Sequence, residues 1–215
     1  AELNRAGAAA ARRAAGDDRW VMGDIGPFGG FLEPVGETTP DELRAMFLEQ
    51  ASALREGGAD VALVETMSAP EELRIGVEAA KQAGDWPVIA TFAFNPPAGD
   101  GKFRTMMGAD AETAMHAALD AGADVVGANC GTSLDLDDYV KLAEQLIAAA
   151  GDAPVILQPN AGQPQSVDGD LVYPARPDDM ADLARRLLDL GVRIVGGCCG
   201  TTPDHVLAMS KVVRG

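Results

Sequence analysis

Positive charge is scarce in this chain. Its 215 residues carry 17 Lys and Arg against 33 Asp and Glu, a formal charge of −16. A surface of that sign repels phosphate backbones, which argues against nucleic acid as a partner and against docking on an anionic membrane. No apolar run approaches the ~20 residues that cross a bilayer. The N-terminal segment lacks the charged start and apolar core of a secretion signal, so a cytoplasmic protein is expected. Aromatic residues make up only 5%, which leaves little ring surface to cage a quaternary ammonium ligand. Cysteine is sparse too. The three present, Cys130, Cys198 and Cys199, are odd in number and two are adjacent. They form neither the disulfide framework of a secreted domain nor a Cys-x-x-Cys redox pair.

What is present describes a globular chain. Hydrophobic residues reach 47%, with 25 Gly and 13 Pro, and no composition break divides the sequence, so residues 1–215 are read as one domain. Six short, nearly all-apolar runs predict strands covered on both faces: Trp20–Gly23, Val61–Glu65, Val88–Phe94, Asp124–Asn129, Val155–Pro159 and Arg193–Gly197. Helix signals lie between them. Thr39-Pro40-Asp41-Glu42 is a capping box with proline at the first helical position, and Ser68 with Glu71 repeats the pattern. Apolar stripes follow at Leu43, Met46, Phe47 and Leu54; at Leu73, Val77 and Ala80; at Met180, Leu183, Leu187 and Leu190; and at Val206, Met209 and Val213. Each helix is expected to stop at a glycine just before a strand: Gly58, Gly84, Gly122, Gly151 and Gly191. Gly58-Ala59-Asp60-Val61 and Gly122-Ala123-Asp124-Val125 echo each other, as does Gly191-Val192-Arg193-Ile194.

Repeated βα units with a buried parallel sheet leave a barrel or an open doubly wound sheet. No Gly-x-Gly-x-x-Gly follows the first strand, and the unit length of about 30 residues suits a (β/α)8 TIM barrel. Only six strands can be counted. The expectation is therefore an α/β chain holding about six of eight barrel strands, the first two lying outside it.

In such folds chemistry collects beyond the C-terminal ends of the strands. All three cysteines sit there, Cys130 after one predicted strand and Cys198-Cys199 after another. Three readings fit them: a metal centre, small buried core residues, or a vicinal disulfide between Cys198 and Cys199. Their common position at strand ends favours the metal. Three thiolates with one open coordination position describe a catalytic zinc site, because soft sulfur ligands select zinc over magnesium or calcium.

Gly127-Ala128-Asn129-Cys130 and Gly196-Gly197-Cys198-Cys199-Gly200-Thr201-Thr202-Pro203-Asp204-His205 resemble the signatures of the homocysteine S-methyltransferase family. Gly23-Asp24-Ile25-Gly26-Pro27, Glu65-Thr66, Arg104-Thr105-Met106-Met107-Gly108 and Pro159-Asn160-Ala161-Gly162 match as well, so the likeness runs from about Leu3 to the C-terminus. The resemblance implies zinc-dependent methyl transfer to homocysteine, giving methionine, on a (β/α)8 barrel. It implies Cys130, Cys198 and Cys199 as zinc ligands. Glu65 would hold the substrate ammonium group, and Asn160 would lie near the zinc and fill its open position when substrate is absent. The family's first strand normally adds an acidic residue that nothing here matches. Betaine, methylcobalamin and S-methylmethionine are the implied donors, the second needing a corrinoid protein or domain as partner. The Arg104–Gly108 stretch resembles bacterial betaine-type members.

Other residues keep two readings. Glu65 is either a solvated loop carboxylate or an ammonium partner. Asp24 and the Phe28–Phe31 loop either touch the methyl donor or form a plain connection. His205 is expected as a surface or capping residue, His116 as structural, and Trp20 and Trp86 as packing at the opposite end. Two rival functions stand beside the methyltransferase: a truncated, non-catalytic zinc- or partner-binding barrel module, and a thiol redox protein using Cys198-Cys199. An oligomer is compatible with all of them.

Overall fold

Strand and helix alternate through the whole chain in a computed structural model that describes residues 1–97 and 99–214. Helix α1 (Glu2–Ala15) precedes six strand–helix units. These are β1 (Met22–Ile25) with α2 (Pro40–Glu56), β2 (Val61–Met67) with α3 (Pro70–Ala83), and β3 (Val88–Phe92) with α4 (Ala111–Asp120). They continue with β4 (Val125–Asn129) and α5 (Leu136–Ala150), β5 (Val155–Gln158) and α6 (Pro177–Leu190), and β6 (Ile194–Val195) and α7 (Pro203–Arg214). The six strands form one parallel sheet in sequential order. The sheet curls through part of a barrel, and β1 and β6 remain as its two edges, so an eight-stranded closure is not seen among the described residues.

The echoed junctions have one physical cause. The Asp60 carboxylate accepts a bond from the Val21 N–H at 2.7 Å, and Asp124 accepts one from Val88 N–H, also at 2.7 Å. Their own amides donate back to the carbonyls of Val21 and Val88. Each aspartate thus ties the start of its strand to the start of the neighbour. Arg193 makes the corresponding backbone bond to Val155 but has no carboxylate to add.

Most of the core lies between the sheet and the helices, around Ile25, Leu43, Phe47, Val64, Leu73, Phe92, Leu142 and Leu183. A smaller cluster of Val61, Leu63, Ile89 and Ile156, flanked by Val125 and Ile194, fills the concave side. Gly127 permits this curvature: a Cβ there would stand 1.9 Å from the Ile156 carbonyl oxygen of the next strand.

Several expectations need correction. The first strand starts at Met22, and Trp20 is 76% exposed rather than packed, because it precedes an edge strand with no neighbour to cover it. Trp86 is buried as expected, its indole N–H bonded to the Ala80 carbonyl at 2.7 Å. Ser68 caps nothing: α3 begins at Pro70 with Ala69 as its cap residue. On α7 only Met209 of the expected stripe is buried; Val206 and Val213 are exposed, since this helix stands beside the open edge at β6. Met46 and Leu190 likewise lie at the margins of their stripes and are exposed.

The Thr39 box forms in full. Its hydroxyl accepts the Glu42 N–H at 3.2 Å while the Glu42 carboxylate accepts the Thr39 N–H at 2.9 Å. Thr39→Ala is expected to cost about 1 kcal/mol, lowering the melting temperature by roughly 2–4 °C for a chain of this size. Thermal denaturation followed by circular dichroism checks it, and an unchanged midpoint would show that the cap adds nothing.

Candidate metal centre

The three cysteines meet. Their sulfur atoms all lie within 4.8 Å of one another, with 3.9 Å from Cys199 to each of Cys130 and Cys198. Two sulfurs sharing a tetrahedral zinc at about 2.3 Å stand ~3.8 Å apart, so two of the three pairs already have that spacing and the third needs little adjustment to reach it. Cys130 and Cys198 are half-buried, Cys199 is exposed, and all three are free thiols. The disulfide reading is therefore not realised.

Strand β5 places both sulfur-bearing segments. It lies between β4 and β6. Its Gln158 carbonyl accepts the Cys130 N–H at 3.1 Å, and the next carbonyl, Pro159, accepts the Cys198 N–H at 2.8 Å. Asn160 and Tyr139 lock the arrangement. Asn160 is 4% exposed; its Oδ1 accepts the Cys199 N–H at 3.0 Å and its Nδ2 donates to the Gly131 carbonyl at 3.1 Å. Tyr139 donates to the Cys130 carbonyl at 2.6 Å and accepts the Asn160 N–H at 3.1 Å. Cys130 itself sits at φ 54°, a left-handed conformation that non-glycine residues adopt at a cost and mostly where surroundings enforce it.

The thiols share charge unequally. Cys130 is held down to about 5, chiefly by the Cys198 thiol donating to it, with further help from Asn160 and Cys199 against the opposing effect of burial. Cys198 is pushed up for the complementary reason, as the donor to Cys130 in a partly buried site. One thiolate is therefore ready at neutral pH.

Glu65 stands on β2 beside this centre. A register irregularity between Val64 and Met67, with Thr66 at φ 63°, bends the strand end that carries it. Asn129 links the two parts: its Nδ2 donates to Glu65 Oε2 at 3.3 Å and lies 3.9 Å from the Cys198 sulfur. Burial first, then the charges of Asp24 and Cys130, push Glu65 up to about 7.

Further residues complete the surroundings. The Phe28 N–H is anchored to the carboxylate of buried Glu72 at 2.9 Å. Its loop borders an open cavity of about 560 Å³, lined by Met106, Met107, Phe31 and Glu72 at the same end of the sheet as the cysteines. His205 does cap its helix, but buried: Nδ1 accepts the Thr202 N–H at 3.1 Å, so Nε2 carries the proton that meets the Ala175 carbonyl at 2.9 Å. His116 is exposed on α4. Sequence reasoning passed over Tyr139, and over the hairpin of Gln165–Val167 with Asp170–Val172, whose Asp168-Gly169 turn was a readable signal. Tyr173, just after that hairpin, lies where a Cβ on Gly200 would strike its ring, so it covers the cysteine loop.

Fold and site together define a class: a parallel βα sheet of barrel type carrying a three-sulfur candidate metal centre at its C-terminal end. The chain belongs to the homocysteine S-methyltransferase family, whose model matches residues 1–213. Methionine synthase of Mycobacterium leprae is 32% identical over 225 residues, covering 99% of this chain and 18% of the relative. That of Mycobacterium tuberculosis is 32% identical over 226 residues with the same coverage. The chain thus spans under a fifth of the length of these curated relatives. Among solved structures, the homocysteine methyltransferase MmuM from Escherichia coli in its apo form superposes with a TM-score of 0.68 at 20% identity, covering 97% of this chain and 68% of MmuM. Its metallated form gives 0.68 at 19% identity, covering 98% and 66%. No helix among the described residues is long and apolar enough to cross a membrane.

Proposed function

We propose that this domain binds homocysteine at a zinc ion held by Cys130, Cys198 and Cys199 and serves methyl transfer to the homocysteine sulfur, giving methionine. The observation that carries the reading is the sulfur trio, gathered within 4.8 Å, in a chain of this family. Three sulfur donors suit zinc and leave one position for a substrate sulfur. When bound there, zinc supplies Lewis acidity that keeps an incoming thiol deprotonated at neutral pH.

The chain's own residues do the rest. Glu65 receives the substrate ammonium and orients the amino acid, with Asn129 holding its carboxylate in place. Asn160 and Tyr139 keep the two cysteine segments in register, and Asn160 would take the free position in the resting site by giving up its bond from the Cys199 N–H. The cavity between Phe28, Phe31, Met106 and Met107 offers the methyl donor an apolar seat. The sulfur lone pair takes the methyl group as the donor's bond to it breaks, so no protein base is required once the thiol proton has gone to solvent.

Zinc-edge X-ray absorption of the purified protein, with and without homocysteine, tests this. The expected result is a rise from three to four sulfur neighbours. An unchanged sulfur count under saturating homocysteine would sink the acceptor assignment. Following methionine formation from betaine, methylcobalamin (with its corrinoid carrier) and S-methylmethionine in parallel identifies the donor.

A further inference from the structure

Cys199 is the exposed member of the trio, and it hangs on a turn rather than on a strand. The turn, Cys198 to Thr201, is closed on the Cys198 carbonyl by the Thr201 N–H at 3.2 Å and the Thr201 hydroxyl at 2.8 Å. Cys130 and Cys198 are hung by their amides from the carbonyls of Gln158 and Pro159. Cys199 is tied one step further along. Its N–H goes to the Asn160 side chain, and its carbonyl accepts the Ala161 N–H at 2.9 Å, its one backbone–backbone bond among the described residues. The place of Ala161 therefore bears directly on where this sulfur stands.

Ala161 is itself tied outward. Its carbonyl accepts the Ala175 N–H at 3.0 Å, just past the Gln165–Val172 hairpin. The two backbones lie close: Gly162 is at φ 81°, and a Cβ there would meet Ala175 and Pro174 at 3.3 Å. From Ala175 the path turns back towards the cysteines. Its carbonyl accepts His205 Nε2–H at 2.9 Å, and His205 Nδ1 accepts the Thr202 N–H at 3.1 Å, beside the cysteine turn. Cys199, Ala161, Ala175, His205 and Thr202 thus form a closed circuit in which His205 supplies the only side-chain link. Tyr173 bears on the same turn a second time, with its ring where a Cβ on Gly200 would fall.

Capping alone does not need this residue. A side chain three positions after Thr202 needs only an acceptor to close a capping box, as Glu or Gln does. A neutral imidazole brings an acceptor and a donor at fixed separation. The donor half of His205 leaves its own helix for Ala175, and the ring is 7% exposed, so the second bond is built into the packing.

We propose that His205 is a positioning residue of the metal centre: by bridging Thr202 to Ala175 it fixes, through Ala161, the place of the Cys199 sulfur opposite Cys130 and Cys198. The inference rests on the three-sulfur metal reading above and adds to it a residue that touches no ligand atom.

Two substitutions separate positioning from capping. His205→Gln keeps an acceptor for the Thr202 N–H and a donor for the Ala175 carbonyl. His205→Glu keeps the acceptor, and with it the capping box, but sets a carboxylate against the Ala175 carbonyl with no donor left. Competition against a chromophoric chelator gives zinc affinity, the zinc-edge spectrum counts sulfur neighbours, and circular dichroism checks that each variant is folded. His205→Glu is expected to bind zinc about 10–100-fold more weakly, the range for a lost supporting contact, and to lose one sulfur neighbour, while His205→Gln stays within about threefold of the wild type. Negative charge added near a cation would by itself tighten binding, so the expected loss runs against that effect. Should the glutamate variant fail to fold, Ala175→Pro removes the N–H to Ala161 without touching α7 and should show the same loss. Unchanged zinc affinity and sulfur count in the folded glutamate or proline variant, or equal weakening in the glutamate and glutamine variants, would overturn the role of His205 and leave the metal reading standing. A wild type that takes up no zinc would instead overturn the metal reading, and the role of His205 with it.

Discussion

Cys130→Ser is expected to abolish stoichiometric zinc binding. A serine hydroxyl stays protonated where a thiol ionises, and it is a harder donor than zinc prefers. Changing a group that merely supports a ligand costs 10–100-fold in metal affinity, so removing one of three ligands should exceed about a hundredfold. Competition against a chromophoric chelator gives the affinity, and elemental analysis after gel filtration gives the content. About one ion per chain in the wild type and almost none in the variant is the outcome a three-sulfur site requires. A variant that retains its zinc at unchanged affinity would remove Cys130 from the centre. The wild type should also show a signed pH dependence. Cys130, held down to about 5, is already a thiolate at pH 7, whereas Cys198 is pushed up and still carries its proton. Zinc must displace that proton, so apparent affinity rises with pH through neutrality, by about tenfold per unit for each proton released. Acidification below about 5 protonates Cys130 as well and steepens the loss.

Much of this centre was legible because strand ends are legible. The buried runs at Val61, Val88, Val125 and Val155 begin their strands at the expected residues or one residue later, since a parallel strand covered on both faces needs an unbroken apolar run. Cysteines placed just past such runs are delivered to one end of the sheet whatever the loops do, so a convergence of Cys130 with Cys198 and Cys199 follows from strand order alone. The parts that stayed hidden depend on register and on single hydrogen bonds. An asparagine at the last position of a strand reads equally well as a turn residue, and only the bend at Glu65–Thr66 brings Thr66 against Asn129. Tyr139 looks like any apolar position of an amphipathic helix until its hydroxyl meets the Cys130 carbonyl. Asp24 reads as a loop residue unless β1 is begun at Met22, and that shift of two residues decides which side chains face the curl. An edge strand has the weakest apolar pattern of any in the sheet, so the placement error fell where one neighbour was absent.

Asn129→Ala is expected to damage stability and site together. The side chain is 1% exposed and spends nearly all its bonding capacity. Its Oδ1 accepts the Thr66 N–H at 2.8 Å and the Thr91 hydroxyl at 2.7 Å, and its Nδ2 donates to the Thr66 hydroxyl at 2.6 Å as well as to Glu65. Alanine leaves the Thr66 amide and the buried Thr91 hydroxyl without partners, at about 1–3 kcal/mol each, and opens a small void besides. A total near 3–5 kcal/mol follows, which lowers the melting temperature by roughly 10 °C in a chain of this length. Thr66 is held at φ 63° partly by these bonds, so its release lets the strand end relax and Glu65 swing away from the cysteine centre. Homocysteine affinity should then fall along with stability, and zinc affinity should fall by the 10–100-fold typical of a lost supporting contact, because Cys130 is the next residue. Asn129→Asp separates the causes. It keeps the volume and the Oδ1 acceptor but turns the Nδ2 donor into a second acceptor facing the Glu65 carboxylate. If the lost amide donor governs the site, the aspartate variant binds homocysteine as poorly as the alanine variant while melting higher. An alanine variant that melts within about 2 °C of the wild type would show that the Asn129 bonds are dispensable.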